Sequence, residues 1–415
     1  MKNNTNILII GASLYGTLLA SHFSENNNNK ITLVESSDRL LNSLNSIKFK
    51  KKKINNGFHG IELPRAKGLV NFLKRKIKIR LKIYRKKQKI LVSRKILAFE
   101  NSIIDWPFAL KKDLKKNFLI KNNDKLEKFF SNKLLSLVKK CSKRFGDKRD
   151  QYNHLIIPWF LPKEYKIKSR DEGDIFRQKI REKKLNFRYA VPENNIFQVF
   201  QSKFLQFLRK KKNIKIYLKT KLIFDKKKIT FYKENNLLNL NYKYDKIFYC
   251  APLAFLLKSI NSSHFKKLLK FERFLFNVLV DVRKKINFTE MICLNSKLPE
   301  LNRISVINNK PFNSSTLIQL EIIKKNNVLN LVELNTMQDE ISKIFNLKDK
   351  CKIIEYKLTR TMYFPDSIWT KKAESIVKKW KNNFHPKLNV RYNFSPINMS
   401  KAWIYSIDEK NRFIQ

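Results

Sequence analysis

The chain has 415 residues, 43% of them hydrophobic, enough to fill two or three compact units. Its 89 Lys and Arg against 34 Asp and Glu leave a formal charge of +55, a balance that attracts nucleic acid or an anionic membrane surface. The basic residues run the whole length and no recognised nucleic-acid module is present, so sequence-specific nucleic-acid binding is excluded and peripheral contact with anionic lipid is retained.

Lys, Asn, Ile and Phe share AT-rich codons, and codon composition is the plainer source of the charge. The mid-chain apolar run 247–257, with Pro252 inside it, is too short to span a bilayer. The expected location is therefore the cytoplasm, with attachment to the inner face of the membrane as the variant of it. Cys141, Cys250, Cys293 and Cys351 form no CxxC pair and read as reduced thiols. The five histidines have no metal-ligand spacing, so no metal site is expected.

Taken in order, the chain opens with the apolar run 6–10, then Gly11, Ser13, Leu14, Tyr15 and Gly16, then an apolar stretch of helical spacing. A second apolar run, 31–34, ends at Glu35. This is the strand–turn–helix–strand–acid pattern of a dinucleotide-binding βαβ unit. Gly11 allows the tight turn, Gly16 lets the helix pack on the strand, and the helix N-terminus offers N–H groups and a positive dipole to a pyrophosphate. Ser13 stands where the middle glycine belongs; its hydroxyl either donates to a phosphate or crowds it. Two of the seven glycines, Gly57 and Gly60, fall within four residues beside Phe58 and His59, which suggests a backbone that needs positive φ or close approach to a ligand.

From 67 to 89 an amphipathic stretch gives way to strand-like alternation, and 101–108 reads as a strand ending in a turn. Helices are predicted over 112–143, 174–184 and 196–210. Strands are predicted at 214–218, within 221–232, at 238–244 and at 245–252. Between 271 and 363 strands dominate, at 273–283, 290–294, 302–307, 315–323, 327–333 and 351–361, with one helix at 337–345. That pattern implies a largely antiparallel sheet. A helix over 367–382, a strand at 388–394 and a terminal segment, 403–414, close the chain.

In this order the motifs resemble those of the flavoprotein superfamily of amine oxidases, protoporphyrinogen oxidases and UDP-galactopyranose mutases, with the nearest likeness to oxidoreductase-like members from surface-polysaccharide contexts. Gly11-x-Ser13-x-x-Gly16 with Glu35 is similar to the first FAD motif. Asp38-Arg39 fits the arginine that follows it, but Leu40, Leu41 and Asn42 replace its paired glycines. Gly57-Phe58-His59 resembles the loop beside the flavin ring, and Trp106-Pro107-Phe108 a Tyr-Pro-Phe segment. Pro192 fits a Pro-Gly-Gly turn whose glycines are Glu193 and Asn194 here. Residues 245–252, ending in Ala251 and Pro252, resemble the strand on the adenine side. Trp403, Tyr405 and Asp408 resemble the closing motif, where Asn398 and Met399 replace Gly-Arg.

The resemblance implies an α/β protein with a discontinuous Rossmann-like FAD-binding domain (1–66, 189–260 and 366–415). A second domain (67–188 and 261–365) is expected to carry a mainly antiparallel sheet and helices. It implies bound FAD, with Gly11, Ser13, Leu14, Tyr15, Gly16, Glu35, Arg39, Gly57, Phe58, Ala251, Pro252, Trp403, Tyr405 and Asp408 around the cofactor. His59 and Arg303 are the candidate catalytic residues, and Arg65 and Tyr363 the candidate substrate contacts; the arginines suit an anionic small molecule such as a nucleotide sugar. The expected activity is FAD-dependent oxidoreduction. The alternatives are a flavin-dependent sugar mutase and a non-catalytic scaffold on an anionic surface that lost activity with its glycines.

Overall fold

The computed structural model describes residues 4–49, 52–55, 60–63, 66–84, 87–92, 95–100, 103–104, 188–194, 196–224, 228–238, 243–260, 263–295, 298, 300–312, 315–363, 367–390 and 399–414. Its first layer is a parallel sheet. The strand Thr5–Ile10 pairs with Asn29–Val34 on one side and Lys246–Tyr249 on the other. Ile214–Tyr217 extends the first side and Leu388–Val390 the second. The strand order therefore reverses at Thr5–Ile10, and the carboxyl ends of Thr5–Ile10 and Lys246–Tyr249 open the crevice where such sheets hold ligands.

These strands are near-continuous apolar runs because both faces are covered. Ile7 and Ile9 point into one core with Leu18 and Leu19 of the helix Leu14–Phe23 and Phe200 and Phe204 of the helix Val199–Arg209. Leu8 and Ile10 point the other way, against Leu253 and Leu257 of the helix Leu253–Ser259 and Trp369 and Val377 of the helix Ser367–Phe384. Phe200, Phe204 and Leu208 recur every four residues, which puts them on one helical stripe. Burying each such side chain contributes roughly 1.5–3 kcal/mol. The helix Lys67–Arg75 adds Leu69, Val70, Phe72 and Leu73 to the same core as Leu14–Phe23.

A second, eight-stranded sheet runs in the order Lys352–Tyr363, Glu272–Val282, Ser315–Lys324, Leu301–Phe312, Glu290–Asn295, Gln88–Val92, Lys95–Glu100 and Ile103–Ile104. Only Glu290–Asn295 and Gln88–Val92 pair in parallel. Val278, Leu320 and Ile304 share one face in register, and the helix Leu331–Ile344 covers it through Leu334, Met337, Ile341 and Ile344. The opposite face carries Asn277, Glu321 and Arg303 in register. A buried sheet face of this polarity must satisfy its polar groups by pairing among themselves.

Most predicted strands and helices appear at their places, with one clear correction. Residues 327–333 are not a strand. The Asn330 side chain accepts from the Glu333 N–H and the Glu333 carboxylate accepts from the Asn330 N–H, both at 2.9 Å. This capping box starts the helix at Leu331, six residues ahead of the expected 337, and overrides the β-type run Val328–Val332. The terminal segment is the helix Met399–Ile414. The helices expected over 112–143 and 174–184, and most of 239–244 and 391–394, lie outside the described residues. Cys250, Cys293 and Cys351 are free thiols. Among the described residues no group of His, Cys, Asp and Glu is arranged to hold a metal, and no helix is long and apolar enough to cross a membrane.

His22 makes this packing pH-sensitive. Its ring is buried between Phe72, 5.8 Å away, and Trp403, 5.3 Å away, and Nε2 has no partner among the described residues. Burial pushes its pKa from 6.5 down to about 4, against a small opposing pull from Glu25. Between these values the unfolded chain binds a proton that the folded chain refuses, so stability falls with pH through that window, by up to about 3 kcal/mol. The urea midpoint is expected to drop as pH is lowered from 6.5 to 4, and His22→Phe to remove this share of the drop.

Candidate functional site

The crevice is built on two glycines that nothing else replaces. Gly11 has φ +94°, and a Cβ there would meet the Ala251 N at 3.0 Å and its Cβ at 3.2 Å. A Cβ on Gly16 would stand 2.1 Å from the Gly11 carbonyl oxygen and 3.1 Å from the Cys250 Cβ. The first helix therefore sits directly on the turn, and the turn directly on the start of the segment after Lys246–Tyr249. Pro252, next along, is the N-cap of Leu253–Ser259.

Ser13 stands at the turn between the first strand and the first helix. It is the N-cap of Leu14–Phe23; its hydroxyl accepts from the Gly16 N–H at 3.4 Å and donates to the Cys250 carbonyl at 3.0 Å. The side chain is thus committed across the switch point, between the first and fourth strands in chain order, and acts inside the protein. Leu14 and Tyr15 occupy the first helical positions.

Glu35 closes the same turn from the second strand. One carboxylate oxygen accepts from the Ala12 N–H at 2.7 Å, and the other from the Ser37 N–H at 2.9 Å and the Ser36 hydroxyl at 3.2 Å. The carboxylate is therefore fixed at the edge of the crevice. Arg39 forks onto Asp38, with Nε at 2.7 Å and one terminal nitrogen at 2.5 Å. That hydrogen bond holds the Asp38 carboxyl below its ordinary range. Leu41 adopts φ 54°, a left-handed conformation that suits glycine, while its side chain is fully buried and its N–H donates to the Ala12 carbonyl at 2.8 Å.

The polar face of the large sheet forms a connected wall. One terminal nitrogen of Arg303 donates to Glu290 at 2.8 Å, the other to both carboxylate oxygens of Glu321 at 2.7 and 2.8 Å, and both carboxylates are buried. Burial alone would lower the Arg303 pKa, but the Glu321 and Glu290 charges outweigh it and hold the guanidinium charged. Gln88 donates to Glu290 at 2.7 Å. Farther along, Gln319 donates to the Asn277 side-chain oxygen at 2.7 Å and to the Asn55 carbonyl at 3.2 Å, and Asn277 donates to Thr359 at 2.8 Å. Asn55 in turn accepts from the Phe197 N–H at 2.9 Å, so the wall is tied to the edge of the first unit.

Of the residues singled out from sequence, Gly11, Ser13, Leu14, Tyr15, Gly16, Glu35, Ala251 and Pro252 come together at the switch point. Trp403 does not join them: it packs on Gly68, Phe72 and His22, and His22 lies at the far end of the first helix, roughly 12 Å of helix rise from its start. Tyr405, on the same closing helix, packs on that core from its margin, and Asp408 lies half-buried one turn further on. Tyr363 donates to Glu272 at 2.9 Å, and burial followed by this bond pushes its pKa up to about 12. Gly57, Phe58, His59 and Arg65 lie outside the described residues. Sequence reasoning passed over Asn277, Glu290 and Gln319. Their signal was a polar residue inside an otherwise apolar strand, repeated at the spacing of two in Gln319/Glu321 and Arg303/Ser305.

No protein-family model and no curated protein matches the sequence. Solved structures do match along almost the whole chain. A protein from Exiguobacterium sp. 255-15 assigned as a protoporphyrinogen oxidase is 12% identical, with 99% of each chain covered and a TM-score of 0.63. A reduced UDP-galactopyranose mutase is 12% identical over 99% of this chain and 95% of its own, with a TM-score of 0.70. A putrescine oxidase bound to putrescine is 7% identical over 99% of each chain, with a TM-score of 0.62.

Two substitutions test the geometry. Ser13→Ala removes a helix cap and the link to Cys250 and is expected to cost about 1 kcal/mol. Arg303→Ala leaves two buried carboxylates uncompensated and is expected to cost about 3–5 kcal/mol. Urea midpoints of the two variants should rank in that order.

Proposed function

We propose that this chain, which has the fold of the FAD-dependent amine oxidase-like flavoproteins, binds FAD at the switch-point crevice and acts as an oxidoreductase on a small polar molecule. The carrying observation is the turn at Gly11, Gly16 and Glu35. A left-handed glycine without room for a Cβ, a helix N-terminus directly behind it and a fixed carboxylate on the next strand are the parts an adenosine ribose and a pyrophosphate require. The residues present fit that half of the cofactor. Ser13 keeps its hydroxyl on Cys250 and so leaves the phosphates to backbone N–H groups, and Leu41 keeps a glycine-type backbone although it is not glycine.

In this reading Glu35 would accept hydrogen bonds from the ribose hydroxyls, and the helix N-terminus at Leu14 would hold the pyrophosphate. Bound flavin supplies hydride transfer with the substrate. The chain's own part is to orient the substrate. Arg303, held between Glu290 and Glu321, has both its terminal nitrogens committed and fixes the wall, rather than offering an uncommitted cation to an anion. A nucleotide sugar, if it is the substrate, would take its anionic contacts from other residues.

The test is affinity. Glu35→Gln keeps the size of the side chain but loses the charge, and a hydrogen bond to a charged acceptor contributes about 1.5–3 kcal/mol. FAD binding, followed by quenching of flavin fluorescence, is expected to weaken about tenfold or more in this variant. Equal affinities would remove Glu35 from the site. With flavin loaded, reduction by candidate amines or oxidation by quinones supports the oxidoreductase, whereas sugar-nucleotide isomerisation that needs prior reduction supports the mutase.

A further inference from the structure

Three aliphatic side chains stand in solvent within five residues: Val328, Leu331 and Val332 are 62%, 77% and 74% exposed. Single exposed aliphatics are ordinary, but a cluster on a rigid turn is not. The turn is rigid because Leu329 is buried beneath it, the Asn330–Glu333 box caps the helix, and Lys324 donates to the Val328 carbonyl at 2.9 Å. Lys324 also pairs with Glu333, the acidic residue of the helix's first turn, and its charge acts on the half-buried Glu300 as well. Lys325 beside it is exposed.

A second group of the same kind leaves the sheet at the same end. Phe274 is in register with Lys324, so Glu272–Val282 begins where Ser315–Lys324 stops. Just before Glu272, Leu269 is 45% exposed, and on the adjoining helix Leu253–Ser259 Phe255 is 55% exposed. Lys266, Lys267 and Lys270, in the segment that leads into Glu272–Val282, are exposed, as is Lys258 at the end of the helix Leu253–Ser259. Apolar tips set among lysines match the headgroup–acyl boundary of an anionic bilayer. A second copy carrying +55 would be repelled from this face, and nucleic acid binds through its phosphates and has no use for the aliphatic tips.

We propose that this end of the eight-stranded sheet docks on an anionic lipid surface, with the Val328–Val332 turn entering the interface and the neighbouring lysines over the headgroups. The inference is independent of the flavin reading, since none of these residues belongs to the switch-point crevice.

Sedimentation of the full chain with vesicles tests it. The chain is expected to pellet with phosphatidylcholine vesicles containing about one third phosphatidylglycerol, to stay in solution with pure phosphatidylcholine, and to be released by salt. Val328→Ser/Leu331→Ser/Val332→Ser changes only exposed side chains, so the fold should survive, and binding is expected to weaken about tenfold or more. Lys266→Gln/Lys267→Gln is expected to weaken it about tenfold by the separate loss of charge. Equal sedimentation of the triple-serine variant and the parent would overturn the proposal, because adsorption would then rest on diffuse charge. So would a parent chain that stays in solution with anionic vesicles, or one that self-associates without vesicles while the triple-serine variant is monomeric.

Discussion

Gly16 packs so tightly on the carbonyl of Gly11 that a single added carbon would stand 2.1 Å from the oxygen. The first helix, the strand Thr5–Ile10 and the segment after Lys246–Tyr249 meet there with no room for a side chain on either glycine. From this contact follow the left-handed turn at Gly11, the position of the helix N-terminus and the reach of Glu35 to the Ala12 N–H. A sheet whose strand order reverses at that point has a crevice there whatever the chemistry of its walls.

Around this fixed contact, Ser13 and Leu41 carry side chains that do structural work. Ser13 caps the helix and crosses to Cys250, so the position adds a hydrogen bond where a glycine would add none. Leu41 keeps a left-handed backbone at a cost of roughly 1–3 kcal/mol. Its fully buried side chain returns roughly 1.5–3 kcal/mol, so the exchange is close to neutral. Leu41 thus holds a left-handed backbone without being glycine, in a fold shared with solved structures only 7–12% identical to this chain.

The βαβ unit was legible because its parts are local: an apolar run, a glycine pair at fixed spacing and an acid at the end of the next strand. The large sheet was legible from its alternating strands, except where Asn330 and Glu333 closed a capping box under a β-type run and turned it into helix. The polar wall was harder to see. Arg303, Glu290 and Glu321 come from three strands, and only register shows that the arginine's two ends are taken by carboxylates. Trp403 stands in a helix that resembles a flavin-side motif, yet its ring serves the core around His22, because Gly68 leaves room for an indole there.

The two halves of the structure thus have different tasks: a glycine-built crevice whose geometry does not depend on the lost motif glycines, and a polar sheet face held rigid by paired charges. The central claim is that the crevice still takes FAD. The most direct measurement is the visible absorption spectrum of the purified chain after incubation with FAD and removal of the excess. The account predicts a yellow protein with flavin retained in equal amount to the chain; a colourless protein would contradict it.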